Sequence, residues 1–449
     1  MKPLIIVLMA LNILCIEGFA EESETLTNSR IVSLKDAISL AKKNNLEIKS
    51  ESYKSSIAAT DLTLIRGEML PKISAVAGVG PINGKTGNYA FYQDQKTWGA
   101  EWIGSIEAKI PLFVWGRGED LKHAATLNTE LNKLDVTKKQ NEIIFKLKEA
   151  YYGWQYALSL LDFVSETQKD LEQAVNALSE KKEKKEDILR LEVFKYQVEE
   201  KKLEIEKTVK LAQMGVNFYL GEELKLEDKN KVQNERQWIE MDTRELKTLS
   251  YYLDLMNLGA PDLQKVDLGI QAKSDLLSSE KKAALPVVGA LVKYDYAQTN
   301  QRTAQNNPFI YDPYNHSSFA AGIGLTWDID FGVGQSKRDK LVLEIAELKS
   351  KQVYAKEGLK VLLNKSYMEV EEAQARAETL KKAYKSAKKW LTNIETSVGL
   401  GLTPAKDIID AYTTRALVFK DYYESLYRYQ MSWAHLSEAA GQEVDPLLN

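Results

Sequence analysis

The chain states its plan twice. Leu70-Pro71 matches Leu285-Pro286 at an offset of 215; Gly116-x-Gly118 matches Gly332-x-Gly334, and Tyr151 matches Tyr367, at 216. Asp187-Ile188-Leu189 matches Asp407-Ile408-Ile409, and Gly221 matches Gly441, both at 220. The second copy thus carries about four more residues in its helical stretch, close to one helical turn. Self-similarity of this kind dictates architecture before any single residue is interpreted. It predicts two equivalent halves related by a pseudo-twofold.

The first twenty residues read as an export signal. Lys2 supplies the positive start, Leu4 to Ile16 form an apolar core interrupted by Asn12, and Gly18-Phe19-Ala20 places small residues for cleavage after Ala20. Cys15 is the only cysteine. Asn12-Ile13-Leu14 lacks the small residues of a lipid-attachment site, so Cys15 is expected to leave with the signal. The mature chain then has no thiol for a disulfide, a thiolate metal site or a nucleophile. A net charge of −4 gives no support to nucleic-acid binding, which needs a clustered basic surface. No later stretch approaches 18 uninterrupted apolar residues, which excludes a spanning helix but not the weaker signal of barrel strands.

Ser33 opens a helix expected to run to about Gly67, with Asp36 in its first turn. Leu70-Pro71 ends it, and the hydrophobic period then changes from about 3.6 to 2 in four segments: about 72–80, 99–110, 287–297 and 318–329. In the last, Phe319, Ala321, Ile323, Leu325, Trp327 and Ile329 alternate with Ser318, Ala320, Gly322, Gly324, Thr326 and Asp328. Segments of about 10–12 residues suit a tilted crossing of the ~30 Å hydrocarbon layer, with lipid on the apolar side and water on the other. Trp98, Trp102, Trp115, Trp327, Tyr92 and Tyr311 lie at or near strand ends, where interfacial aromatics belong.

After each second strand comes a very long helical run, about Glu119–Lys182 and Ser336–Val398. Each is followed by a turn and a return helix, Asp187–Leu220 and Pro404–Ala440. A 64-residue helix spans roughly 95 Å and is held mainly by coiled-coil packing. The expected division is residues 1–20 signal, 21–220 first repeat, 221–246 connector and 247–449 second repeat.

Four strands cannot close a barrel, and an open edge in lipid leaves backbone groups unsatisfied at several kcal/mol each. Further copies must supply strands. Two copies give eight, an interior filled by side chains; three give twelve and room for a water-filled lumen. The expected fold class is therefore an internally duplicated α+β membrane protein: four transmembrane strands per chain in a trimeric 12-stranded barrel, continued by a helical coiled-coil barrel.

Across essentially the whole mature chain the sequence resembles the TolC family of outer-membrane efflux factors. The residues that carry the likeness are Leu34-Lys35-Asp36-Ala37, Asn44-Asn45-Leu46-Glu47, Leu70-Pro71 and Ile110-Pro111-Leu112-Phe113 with Gly116. Most specific is Gly399-Leu400-Gly401-Leu402-Thr403 leading into Asp407-Ile408-Ile409-Asp410-Ala411. The resemblance implies a homotrimeric channel-tunnel in the outer membrane of a diderm cell, its helical barrel in the periplasm. It also implies docking to a periplasmic adaptor and an inner-membrane pump of the RND, ABC or MFS type, for efflux or type I secretion. Asp407 and Asp410 match the family's aspartates at the periplasmic entrance, and Asp187 repeats the first of them. Residues i and i+3 share a helix face, so three chains would ring one constriction with carboxylates and favour cations. Gly399, Gly401, Leu402, Thr403, Lys184 and Glu186 are the implied adaptor-docking tips. Arg190 stands where the second copy has Asp410, and Val398 and Thr403 occupy the positions of the family's latching tyrosine and arginine.

No enzymatic constellation is present, and no cofactor is expected. His123, His316 and His435 share no ligand spacing, and the Gly-x-Gly pairs read as sharp turns rather than phosphate cradles. The alternative function is a non-conducting exported coiled-coil scaffold whose hairpins are soluble.

Overall fold

The computed structural model describes residues 33–86, 93–180, 185–223, 244–300, 309, 312–400, 402 and 406–445. The segment expected to be a signal, with its Cys15, lies outside the described residues, as do Tyr92, Tyr311, Lys184, Gly401, Thr403 and most of the expected 221–246 connector.

The same succession of elements occurs twice. The first half holds α1 (Leu34–Asn44), α2 (Leu46–Glu68), β1 (Lys72–Thr86), β2 (Gln93–Phe113), α3 (Arg117–Glu180) and α4 (Lys185–Leu220). The second holds α5 (Leu249–Gly259), α6 (Pro261–Ala283), β3 (Val287–Thr299), β4 (His316–Thr326), α7 (Val333–Gly399) and α8 (Lys406–Ala440). The helix expected over 33–67 is two helices. Asn45 breaks it: its side-chain oxygen accepts from the Glu47 and Ile48 amides at 2.9 and 3.3 Å, capping α2. Its amide donates to the Tyr219 carbonyl at 3.0 Å. In the second half Ala260 makes the same break, and Pro261, which has no amide hydrogen to leave unpaired, starts the next helix.

The cores are duplicated as well. Ala37, Ala41, Leu147, Trp154, Val216 and Leu220 are buried in one cluster. Tyr252, Met256, Leu363, Val370, Leu436 and Ala440, at the matching offsets, are buried in another. Small residues in one half stand where large ones stand in the other, as Ala37 does for Tyr252, so the equivalence lies in position and not in side chain. Residues just after α8 are tied into this region: Asp445 pairs with Arg244 at 3.0 Å, both side chains 2% exposed, and Glu443 pairs with Lys148 at 2.5 Å.

The four strands form one antiparallel sheet in the order β1-β2-β3-β4. β1 and β2, at 15 and 21 residues, extend beyond the segments expected from alternation, because their outer ends are polar and carry no period. β4 stops at Thr326, so Trp327 and Ile329 follow the strand. The Gly-x-Gly turns are confirmed as turns: Gly116 and Gly332 have φ of +74° and +111°, where a side chain is strained. Asp330 accepts from the Gly332 and Gly334 amides at 3.3 and 2.9 Å and fixes the second of them.

Candidate functional site

The register makes one face of the sheet continuous. Ile73, Ala75, Ala77 and Val79 of β1 lie opposite Ala108, Ile106, Gly104 and Trp102 of β2. Those continue to Val292, Tyr294, Tyr296 and Gln298 of β3. Tyr294, Val292, Ala290 and Val288 then meet Phe319, Ala321, Ile323 and Leu325 of β4. Directly opposed residues in an antiparallel pair share a face, so this side is apolar across all four strands. Among the described residues of one chain much of it stays exposed; Ile323 is 75% exposed.

The reverse face carries Ser74, Gly78, Glu101, Ser105, Glu107, Lys109, Lys293, Asp295, Ser318, Ala320 and Gly322, with Val76, Ile103 and Leu291 interspersed among them. Lys109 pairs with Glu107 at 2.6 Å and Lys293 with Asp295 at 3.0 Å. In a sheet that crosses a membrane, charges at mid-membrane height would be costly against lipid, and such a face would have to line water. The four tryptophans bracket the strands. Trp98 and Trp102 lie on the outer part of β2; Trp115 and Trp327 follow β2 and β4 at the helix side, all exposed. The Trp115 and Trp327 ring N–H groups donate to the Pro286 and Ala284 carbonyls, at 2.7 and 3.1 Å, on either side of Leu285.

At the far end of the helices, both hairpins meet in one cluster. Leu171 and Leu191 of the first pack with Leu391, Val398, Ile408 and Tyr412 of the second, and with Ile188. Asp187 and Asp407 immediately precede Ile188 and Ile408, so the two aspartates lie at the same end of the molecule, each in the first turn of its helix. Asp407 is half-buried and Asp410 exposed. Glu186 pairs with Arg190 at 2.8 Å, a local contact along α4. Gly399 ends α7, and Leu402 is 75% exposed beyond it.

Sequence reasoning missed a polar cluster just inside this end. Arg415 is 4% exposed. Its guanidinium donates to Glu166 at 2.9 Å, lies 3.7 Å from Asp170 and sits over the Phe163 ring at 4.9 Å. Burial opposes its charge, but the bonds to Glu166 and Tyr384 outweigh that and hold its pKa above the ordinary value. Asp170 goes the other way: burial and the neighbouring Glu166 raise its pKa in spite of Arg415. Tyr412 donates to Glu395 at 2.8 Å, joining α8 to α7 as Arg415 joins it to α3. The signal was available, since Arg415 falls in helical register with Ile408, Ala411, Tyr412, Phe419 and Tyr422. A cation on an apolar stripe needs a buried partner.

No protein-family model matches the sequence, and no curated protein matches it. Solved structures do. The open-state MtrE outer-membrane channel of Neisseria gonorrhoeae aligns over 92% of this chain and 89% of its own, with a TM-score of 0.73 at 14% identity. The outer-membrane protein VceC of Vibrio cholerae aligns over 92% and 97%, with 0.70 at 12%. The Campylobacter jejuni CmeC outer-membrane channel aligns over 91% and 85%, with 0.66 at 15%. The chain has the fold of an outer-membrane channel protomer. The likeness extends over strands and helices alike, so the sheet and the helical hairpins belong to one architecture. Among the described residues no helix is long and apolar enough to cross a membrane, and the sheet is the element suited to do so.

Proposed function

We propose that the protein is an outer-membrane channel-tunnel, the passive exit duct of an efflux or type I secretion system. The observation that carries this reading is the sheet: apolar across one face, largely polar across the other with its charges on β1, β2 and β3, and open at both edges, β1 and β4. Unpaired edges in lipid demand further copies. Three chains give twelve strands and a lumen wide enough for water, where two would give a filled barrel. Bare apolar stripes on the helices support association along their length: Tyr53, Ile57 and Leu64 of α2, Val193, Tyr196 and Leu203 of α4, and Val353, Tyr354 and Val361 of α7 are all exposed.

In such a trimer Asp407 and Asp410, with Asp187, ring the periplasmic entrance, and the exposed tips around Gly399, Leu402 and Glu186 face the adaptor of an inner-membrane pump. Purified protein in a planar bilayer tests this. Discrete cation-selective steps, blocked by a trivalent cation, are expected. Block should weaken when Asp407→Asn and Asp410→Asn are combined. Protein that fails to insert would favour the scaffold reading, whose hairpins are soluble.

A further inference from the structure

The polar face of the sheet shows an arrangement beyond simple wetness. Glu107 on β2 lies opposite Lys293 on β3, and Ser105 lies opposite Asp295. With Lys109 two residues along β2, the side chains form a row that alternates in sign: Lys109, Glu107, Lys293, Asp295. Glu107 is five residues from Trp102 and six from Phe113, so the row lies near the middle of the span. At ~3.3 Å per residue and a tilt of ~40°, Trp102 to Phe113 covers about 28 Å of membrane. On the same face, Glu101 adds a carboxylate at the outer end, and Lys72 of β1 adds an ammonium group directly opposite Lys109. The described lumen-side strands therefore carry as many carboxylates as ammonium groups.

We propose that the middle of the barrel is a charge-compensated girdle, built by Glu107, Lys109, Lys293 and Asp295 of each copy, which leaves ion selection to the entrance. This rests on the channel reading above. The pairing has a physical reason. A wall charge facing a lumen with low-dielectric lipid behind it acts strongly on passing ions, and a partner of opposite sign within 3.0 Å cancels that field at the wall. A duct of this type would repel neither anionic nor cationic cargo at mid-barrel, whichever sign the entrance prefers.

The test is a set of reversal potentials in a dilute potassium chloride gradient, where screening is weak. Lys293→Gln uncovers one negative charge per copy and should move the reversal potential toward the potassium value; Glu107→Gln should move it toward chloride. The double variant should return to wild type, a result that a merely structural role would not give. Unchanged potentials in both single variants would overturn the girdle while leaving the channel intact. Wild-type protein that inserts but carries no current would sink the channel reading and the girdle together. Placement is checked separately, since the only native cysteine, Cys15, lies in the signal segment. In inserted protein, Glu107→Cys should react with a water-soluble thiol reagent and Ile106→Cys should not, and the reverse pattern would overturn the assignment of faces.

Discussion

Gly221 rests against Asn44 so closely that a Cβ on the glycine would lie 2.8 Å from the Asn44 carbonyl oxygen. In the other half, a Cβ on Gly441 would lie 2.7 Å from the Ala260 Cα. Both glycines have positive φ, +74° and +76°. Each ends a return helix and seats its turn on the break between the two short helices of its own half. The break at Asn45 and the glycine are thus one device, used twice.

Gly221→Ala and Gly441→Ala should each destabilise the protein. A side chain there meets both an unfavourable φ, costing about 1 kcal/mol or more, and backbone that cannot move aside. Asn45→Ala removes a helix cap and should cost about 1 kcal/mol. Gly67→Ala, in open space within α2, is the control and should be neutral or slightly stabilising. Thermal unfolding in detergent reads all four, and a Gly221→Ala variant as stable as the control would contradict the close packing.

Ile323→Arg places a charge on the apolar face, level with Ile110, at a cost for each copy that reaches ~2–4 kcal/mol at the bilayer centre and falls toward the interface. It should abolish stable insertion. Ser318→Arg, on the other face and opposite Asp295, should insert normally. Equal membrane recovery of the two would remove the assignment of lipid and water sides.

Arg415→Gln should loosen the α3–α8 seam. A hydrogen bond to a charged group contributes ~1.5–3 kcal/mol, toward the lower figure here because Glu166 is largely exposed. Limited proteolysis near the hairpin ends should quicken. Asp170→Asn should not behave alike. A carboxyl whose folded pKa is raised stabilises most when protonated, and that contribution is lost as pH rises through the folded value. At neutral pH its removal should be neutral or helpful. Proteolysis that quickens as much in Asp170→Asn as in Arg415→Gln would refute this division of roles.

Much of this was legible because alternation and duplication are periodic signals. Phe319 to Leu325 read as a strand with its faces assigned, and the offsets 215, 216 and 220 placed the glycines that prove structural. What escaped was aperiodic. A single capping side chain at Asn45 splits a helix that hydropathy runs through, although Pro261 marks the equivalent break in the other half. The outer ends of β1 and β2 pair through backbone bonds that leave no side-chain pattern. The Arg415 cluster unites residues 249 positions apart, a contact that only the packed hairpins create. Asp407 and Asp410 were read from the family resemblance and Asp187 from the repeat; the structure sets Asp187 and Asp407 in the first turns of α4 and α8, next to residues of one cluster.

The pH response of the helical region should centre on Glu142. Lys139 and Lys146 donate to its two carboxylate oxygens at 2.7 and 2.6 Å, and Lys139 also lies 3.5 Å from Glu47 of α2. These bonds hold the Glu142 pKa down to about 2 from its ordinary 4.5. A depressed carboxyl pKa stabilises the fold fully above the unfolded value, and that contribution drains away as pH falls through the folded one. Acidification from about 4.5 to about 2 should therefore weaken this stretch of α3, where both lysines and Glu142 lie. In Glu142→Gln the contribution is absent throughout. The variant should melt lower than wild type at neutral pH, and the two curves should converge as the medium approaches pH 2. The side chains are partly exposed, so added salt should shrink the neutral-pH difference. Melting curves that run parallel across the whole window would show that Glu142 is not held by its two lysines.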